Sequence, residues 1–490
     1  MLWISIYLPE LSLQSHARGA IGWLKSVPVV ISDGVASRPH VHAANSFAKD
    51  AGITLQMTVI AAQARAADLL VVPRQLEKER DTLEHVTSWL MQFSPMVCAE
   101  PAGASLEISS TLRLFGGISQ LVTRIRHGIR ELGFHACVGI APTPLAAWLL
   151  ARASHHIDGL RMCREPATLS ERLTDIPLVL FDWSQEIMQP LAEMGLVRVK
   201  DLLAQPRAGL RKRLGDQVLR DLDRALGRIG DPREPHSLPE TFSCHTDLLF
   251  DIVDAERLLI PIRMLLNGME GFMRARGSGA SEILLDLKHN RTFRTTHKFG
   301  SRHPMRSAEH WLRLIRDRLT AQPFPEAVIA LKLSATQLIT YREQSDSWLP
   351  QPDATREKWQ VLIERVASRL GEKSVFAISE NSDHRSELAW KSDGSQARVK
   401  VKRSLAPSIK KQRPLLLLKE PLALVMVSGW PQHHGPLALL AGPERVDTGW
   451  WDGNPAARDY YVASNAERET CWVFRDYRFG RRWYLHGYFS

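Results

Sequence analysis

Cysteine is scarce in this chain and never set in a pair: Cys98, Cys137, Cys163, Cys244 and Cys471 are scattered, with no CxxC among them. That excludes a zinc ribbon or a dithiol redox centre and fits five free, buried thiols in a reducing cytoplasm. His433-His434 and His486 have no metal-ligand spacing either, so the residues imply no metal and no cofactor. Long apolar runs are missing: none approaches the roughly 18 residues that a membrane helix needs. No basic segment precedes Leu2 to Leu8, so the opening reads as a first strand and not as a signal peptide. Acidic residues disappear between Gly394 and Lys419, while Arg398, Lys400, Lys402, Arg403, Lys410, Lys411, Arg413 and Lys419 are all basic.

What is present is enough to fold without staples. The 490 residues are 44% hydrophobic, which at roughly 150 residues per domain suggests three or more domains. A net charge of +10 favours a polyanionic partner in solution over a membrane.

The most informative stretch is Pro95 to Gly117, PMVCAEPAGASLEISSTLRLFGG. Pro101-Ala102-Gly103 punctuates two apolar runs as a hairpin turn does, and Leu106 and Ile108 alternate with polar neighbours. Ile118, Leu121, Val122, Ile125, Ile129 and Leu132 then follow helical spacing to a stop at Gly133. Phe134 to Ile140 reads as a strand, and Thr143-Pro144 opens another helix. Val29 to Ser32 is a further strand, residues 41–72 carry helix–turn–helix signals, and Thr82 to Phe93 reads as a helix.

With the opening LWISIYLPELSL (Leu2 to Leu13) and GIAPTPLAAWLLA (Gly139 to Ala151), this segment resembles the palm of Y-family translesion DNA polymerases, closest to their ImuB-type branch. The resemblance runs in order over most of the chain. It implies an α/β and α+β multidomain right hand: palm at 1–30 and 73–168, fingers at 31–72, a helical thumb with a helix-hairpin-helix at 169–233, and an αβ little finger at 240–340. An αβ extension at 341–390, a basic tether with a clamp-binding peptide at 391–420 and an aromatic-rich β module at 421–490 complete it.

The resemblance also locates what is missing. Two-metal phosphoryl transfer needs carboxylates fixed on neighbouring strands. The resemblance puts the first at Ser5 and the acidic pair at Ala102-Gly103, with Tyr7 where the first motif has its second acid. Glu107 matches an acidic position outside that set, and Glu100 is the nearest spare acid. Triphosphate-gripping residues of the fingers would fall at Ser46 and Lys49, and a palm lysine at Pro144 or, one turn on, Trp148. The expectation is a palm that has kept its shape and lost catalysis and nucleotide binding.

Pro190 to Gly215 has two readings. Gly195 between short helices resembles the thumb's hairpin, which turns backbone N–H groups toward DNA phosphates, aided by Lys200, Arg207, Arg211, Lys212 and Arg213. The other reading is a plain helical hairpin with a solvated basic face. Arg291, Arg294 and Lys298 similarly read as DNA contacts of the little finger or as an ordinary polar sheet face.

The acid-free tether leads to Gln412-Arg413-Pro414-Leu415-Leu416-Leu417. Gln412, Pro414, Leu415 and Leu417 resemble the short peptides that dock on the sliding clamp (the β subunit); the same leucines also fit the first strand of the next module. In the tail, Trp450, Trp451, Tyr460 and Tyr461 are candidates for a partner interface among aromatics that are mostly core.

Taken together, the expected function is a non-catalytic scaffold in mutagenic translesion synthesis, holding damaged or primer-template DNA and the clamp. The ImuB resemblance adds an error-prone C-family polymerase and a RecA-like, ImuA-type protein as partners. The alternatives are an active polymerase drawing on Glu100, Glu107 or Asp33, and a DNA-binding repair factor without a clamp role.

Overall fold

The computed structural model describes all residues except 18–26, 35–37, 157–160, 291–292, 322–324, 342–361, 364–365, 367–368, 371–373, 394–412, 479 and 490. The chain forms two compact units, Met1–Arg369 and Leu370–Ser490.

The first unit begins with β1 (Trp3–Tyr7), an almost wholly buried strand, and α1 (Leu11–Ala17). A three-stranded sheet follows, in which β2 (Val29–Asp33) pairs antiparallel with β3 (His40–Ala44) and parallel with β4 (Leu70–Pro73). Two short helices, α2 (Ser46–Asp50) and α3 (Val59–Gln63), lie between β3 and β4. Asn45 joins these pieces: its side-chain oxygen accepts from Val29 N at 3.0 Å and caps α2 at Ala48 N, 2.9 Å. The helical signals at 41–72 were therefore incomplete. The expected palm–fingers division at residue 30 also cuts through β2, whose partners β3 and all of β4 but Pro73 are on the fingers side.

Helix α4 (Leu76–Leu90) starts six residues before the sequence suggests, because Glu77 and Glu79 suit a helix N-terminus. Then come β5 (Val97–Glu100), β6 (Gly103–Glu107), α5 (Ile118–Glu131), β7 (Cys137–Ala141), α6 (Pro144–Ala153) and the short β8 (Arg161–Met162). The sheet order is β5-β6-β1-β7-β8. Alternation along β1 splits the chemistry. Ile4 and Ile6, with Ala104, Leu106, Val138 and Ile140, pack against Val86, Leu90, Leu121, Ile125 and Ile129 of α4 and α5. Burying each of the larger side chains stabilises by roughly 1.5–3 kcal/mol. On the opposite face α6 lies so close to β7 that a Cβ on Gly139 would stand 2.2 Å from Ala147 O.

Five helices follow: α7 (Leu169–Leu173), α8 (Gln185–Glu193), α9 (Val199–Leu203), α10 (Arg207–Leu214) and α11 (Asp216–Ala225). Their buried Leu173, Leu191, Val199, Leu202, Val218 and Leu222 share one core with α6.

The last part of this unit is β9 (Phe242–Ile252), α12 (Ala255–Arg276), β10 (Ser278–Lys288), β11 (Arg294–Met305), α13 (Ala308–Ala321), β12 (Val328–Ala335) and β13 (Leu338–Thr340). The sheet order is β11-β10-β12-β9, with β13 on β10, and both helices pack on one face around fully buried Trp311. Trp89 of α4 fastens this domain to the first sheet. A Cβ on Gly128 of α5 would come within 2.3 Å of its indole, and one on Gly271 of α12 within 2.1 Å.

In the second unit, β14 (Ala377–Glu380) pairs with β15 (Trp390–Asp393). Next come β16 (Leu416–Ala423), the β17 (Val425–Val427) and β18 (Trp430–Gln432) hairpin, β19 (Ala438–Thr448), β20 (Ala456–Ser464), β21 (Thr470–Asp476) and β22 (Trp483–Tyr488). The main sheet has the order β16-β22-β21-β20-β19. The expected 341–390 extension is thus divided between the units, and the last residues of the expected tether are a strand. All five cysteines are buried and none is in a disulfide. No helix among the described residues is long and apolar enough to cross a membrane.

Candidate functional site

The register of β1 brings the expected metal positions together and shows what fills them. Ser5 lies opposite Ser105 of β6 and Gly139 of β7, and Tyr7 opposite Gly103. Ser5 and Ser105 are both fully buried, with their hydroxyls 2.7 Å apart. Ser105 donates to Glu100 Oε1 at 2.7 Å, so Ser5 must donate to Ser105. Glu100 in turn accepts from Arg233 Nη1, 3.2 Å to each oxygen, and Arg233 Nη2 donates to Asp231 at 3.0 Å. Burial pushes the Glu100 carboxyl above its ordinary range, with Arg233 pulling the other way.

The neighbouring space is occupied by rings. Tyr7 meets Trp148 edge-on at 5.6 Å between centroids, and Arg152 stands 5.8 Å over the Tyr7 ring. A Cβ on Gly103 would fall 1.9 Å from Ile6 O and 3.2 Å from the Trp148 indole. Gly103 therefore permits a close approach that a side chain would block. Pro144 is the first residue of α6 and is buried, as is Trp148. Glu107, at the far end of β6 from Gly103, accepts from Ser109 N at 2.9 Å. Asp33 is held by Arg74 at 2.9 Å on the separate three-stranded sheet. Among the described residues no three His, Cys, Asp or Glu side chains are grouped as metal ligands. Ser46 and Lys49 are exposed on α2.

Gly195 ends α8 in a left-handed turn (φ 72°), and Leu196 N donates back to Leu191 O at 2.9 Å. The N–H groups that follow do not point outward to a ligand. Val197 N and Arg198 N both donate to Asp201, at 3.1 and 2.8 Å, and these bonds hold its carboxyl below the usual range. The phosphate-gripping role expected of this turn is corrected accordingly: the chain's own carboxylate occupies it. The basic cluster is real but partly paired. Arg207 forms a fork with Asp223, Arg211 lies 2.7 Å from Asp216 and Lys200 3.5 Å from Asp175. Lys212 has no ion-pair partner among the described residues, and Arg213 Nη1 donates to the Met194 sulfur at 3.4 Å.

In the β9–β13 domain, Arg294 is exposed opposite Lys288, and Lys298 pairs with Glu282 at 2.6 Å; Arg291 lies outside the described residues. A groove of about 590 Å³ between the open sheet face and α4 sets Lys288, Arg294 and Lys332 near Asp81 and Glu84.

The candidate clamp peptide is divided. Gln412 lies outside the described residues, Pro414 is buried and Leu415 is 84% exposed. Leu417 is not presented: it pairs with Gly487 in the sheet and packs beside Tyr460, Trp472 and Phe474. Of the two sequence readings, the strand holds from Leu416 onward. Trp450 and Trp451 stand out, 75% and 62% exposed, as an edge-on pair. Arg385 anchors their loop by pairing with Asp452 and donating to Asn454 O at 2.8 Å. Tyr460, a candidate interface residue in the sequence, is not on the surface. It is buried, stacks on Trp472 at 4.0 Å, lies 2.9 Å from His486 Nδ1, and has its phenol pushed up to about 12 by burial. Tyr461 is half-buried against Trp483.

Sequence reasoning missed Arg233 and Asp201. Asp201, at the third position of a short helix, carried a capping signal. Arg233, in a proline-rich linker 133 residues from its carboxylate, carried none.

Residues 15–152 match the impB/mucB/samB family. The chain is 26% identical over 465 residues to Protein ImuB of Caulobacter vibrioides, covering 88% of this chain and 98% of that protein. It is 24% identical over 286 residues to DNA polymerase IV of Marinomonas sp., covering 56% and 78% respectively. Among solved structures, DinB from Sulfolobus solfataricus aligns over 70% of this chain and 100% of its own, at 18% identity and a TM-score of 0.40.

Proposed function

For this chain, an ImuB-type homologue of the Y-family polymerases, we propose a role in DNA damage tolerance as a polymerase-shaped scaffold that does not itself join nucleotides. The observation that carries the reading is the buried relay Ser5–Ser105–Glu100–Arg233 at the place where the family resemblance puts the catalytic acids. Two divalent cations need several carboxylate oxygens free to face them. Here two hydroxyls and a guanidinium take that place, and the nearby carboxylates, Glu100 and Asp231, are both paired with that guanidinium. Primer extension by purified protein with Mg²⁺ or Mn²⁺ tests this: no incorporation is expected. Robust incorporation lost in Glu107→Ala would establish an active polymerase instead.

DNA contact is proposed through Lys212 and Arg213, and through Arg294 beside Lys288. Exposed pairs such as Arg211–Asp216 are worth little, so their arginines can exchange a carboxylate for a phosphate. Binding should be weak, indifferent to sequence and steep in salt. Clamp docking is proposed through Gln412 to Leu415, with Leu417 available only if the start of β16 peels away. In the cytoplasm, an error-prone C-family polymerase and a RecA-like protein would be recruited alongside. Each contact needs only moderate strength, because linked weak contacts multiply through effective concentration. A pull-down with Gln412→Ala/Leu415→Ala tests the tether; unchanged clamp capture would favour a repair factor without a clamp role.

A further inference from the structure

The turn joining β21 to β22 carries an excess of guanidinium around one exposed ring. Tyr477 is 37% exposed, and three guanidinium carbons surround its centroid: Arg445 at 5.3 Å, Arg481 at 5.6 Å and Arg475 at 5.9 Å. Strand register brings them there, since Arg445 lies opposite Asp459 and Asp459 opposite Arg475. Arg482 is exposed in the same turn.

Like charges gathered on one ring repel, and one carboxylate offsets them. Buried Asp459 accepts from Arg445 Nε at 2.7 Å and Nη2 at 2.9 Å. Arg475 spends its Nε on the Arg481 carbonyl, 3.4 Å away. No carboxylate pairs with Arg475, Arg481 or Arg482 among the described residues. The arrangement therefore offers unneutralised, planar phosphate donors beside an aromatic surface held in place by its cation neighbours.

We propose that this turn binds single-stranded DNA, with Arg475, Arg481 and Arg482 on successive phosphates and a base stacked on Tyr477. An acidic peptide would use the charge and leave the ring idle, whereas a single strand uses both. Stacking on Tyr477 needs an unpaired base, which a duplex keeps in its own stack. The site lies in the Leu370–Ser490 unit and stands independently of the DNA contacts proposed for the other unit.

Anisotropy of the full chain with a fluorescein-labelled oligo-dT, over a range of salt, tests it. Arg475→Gln/Arg481→Gln/Arg482→Gln should weaken binding about tenfold or more and reduce the salt slope by roughly 2, at about 0.7 per lost phosphate contact. Tyr477→Leu should weaken binding about tenfold with the slope retained. Lys212→Ala/Arg213→Ala, which removes contacts of the other unit, should lower oligo-dT affinity by an amount that adds to the loss in the turn variants, since the two sites are separate. Ultraviolet crosslinking of the wild-type chain to the same oligonucleotide, which does not depend on any variant folding, should label the peptide containing Tyr477. Crosslinks confined to residues 190–230, or oligo-dT binding untouched by both turn variants, would overturn the proposal while leaving the thumb contacts intact. Equal loss of binding to poly-glutamate, with oligo-dT not preferred, would overturn it in favour of an acidic protein partner.

Discussion

Arg233 Nη1 lies 3.2 Å from both carboxylate oxygens of Glu100, joining the segment after α11 to the β5–β6 hairpin across 133 residues. Glu100 is only 5% exposed at its side chain and Arg233 22%, so neither charge is well solvated without the other. This pair ties the linker after α11 to that hairpin.

Removing the guanidinium is expected to be costly. Arg233→Ala should destabilise the first unit by about 3 kcal/mol at neutral pH, because it strands a buried carboxylate. Burial already raises the folded-state pKa of Glu100, so the folded form binds its proton more readily than the unfolded chain. Stability from this group therefore falls as pH rises through the raised value, and the variant's defect should shrink on acidification. Urea unfolding at pH 5 and 7.5 measures it; a pH-independent defect would discount the pairing.

Rebuilding the acids is expected to fail. Gly103→Ala alone should cost about 1–3 kcal/mol, since its Cβ meets the Ile6 carbonyl at 1.9 Å. Ser5→Asp places a second carboxylate beside the Ser105–Glu100 bond and should lower the melting temperature without conferring primer extension. Thermal melts and extension assays on both variants check this.

The indole of Trp89 is a peg between two glycines. Trp89→Ala should destabilise the first unit by about 3–5 kcal/mol. Gly271→Ala, which adds rather than removes atoms, should also destabilise, because its Cβ falls 2.1 Å from the same ring. Equilibrium unfolding distinguishes this from a loosely filled interface, where Gly271→Ala would be neutral.

Leu415 and Leu417 should behave differently despite their spacing. Leu417→Ala should lower the melting temperature of the second unit, since Leu417 packs beside Trp472 and Phe474. Leu415→Ala should leave melting unchanged and weaken clamp capture. Melting curves and a clamp pull-down on the two single variants separate the effects.

The loop bearing Trp450 and Trp451 should loosen in acid. Hydrogen bonds from Arg385 draw the Asp383 carboxyl down to about 2, below its ordinary value. A depressed folded-state pKa gives stability that is present above about pH 4 and lost as pH falls toward 2. Tryptophan fluorescence across that range should report the change, and Asp383→Asn should remove this part of it.

Sequence pattern alone determined most of the elements. Helical spacing from Ile118 to Leu132, the Thr143-Pro144 opening of α6 and the hairpin around Ala102-Gly103 all depend on neighbours within a few residues, and that information is local. That Ser5, Ala102 and Gly103 stand where polymerases carry acids is what the family resemblance implies, residue by residue. Tertiary structure decided what Ser5 and Glu100 bond to, whether Gly195's turn was open to a ligand, and which aromatics were surface. Arg233 reaches Glu100, Asp201 fills the turn, and Tyr460 is buried while Trp450 is not. Each depends on burial and on partners distant in sequence, where side-chain identity gives no warning, because a charge or a ring is equally suited to water or to a partner until the fold supplies one.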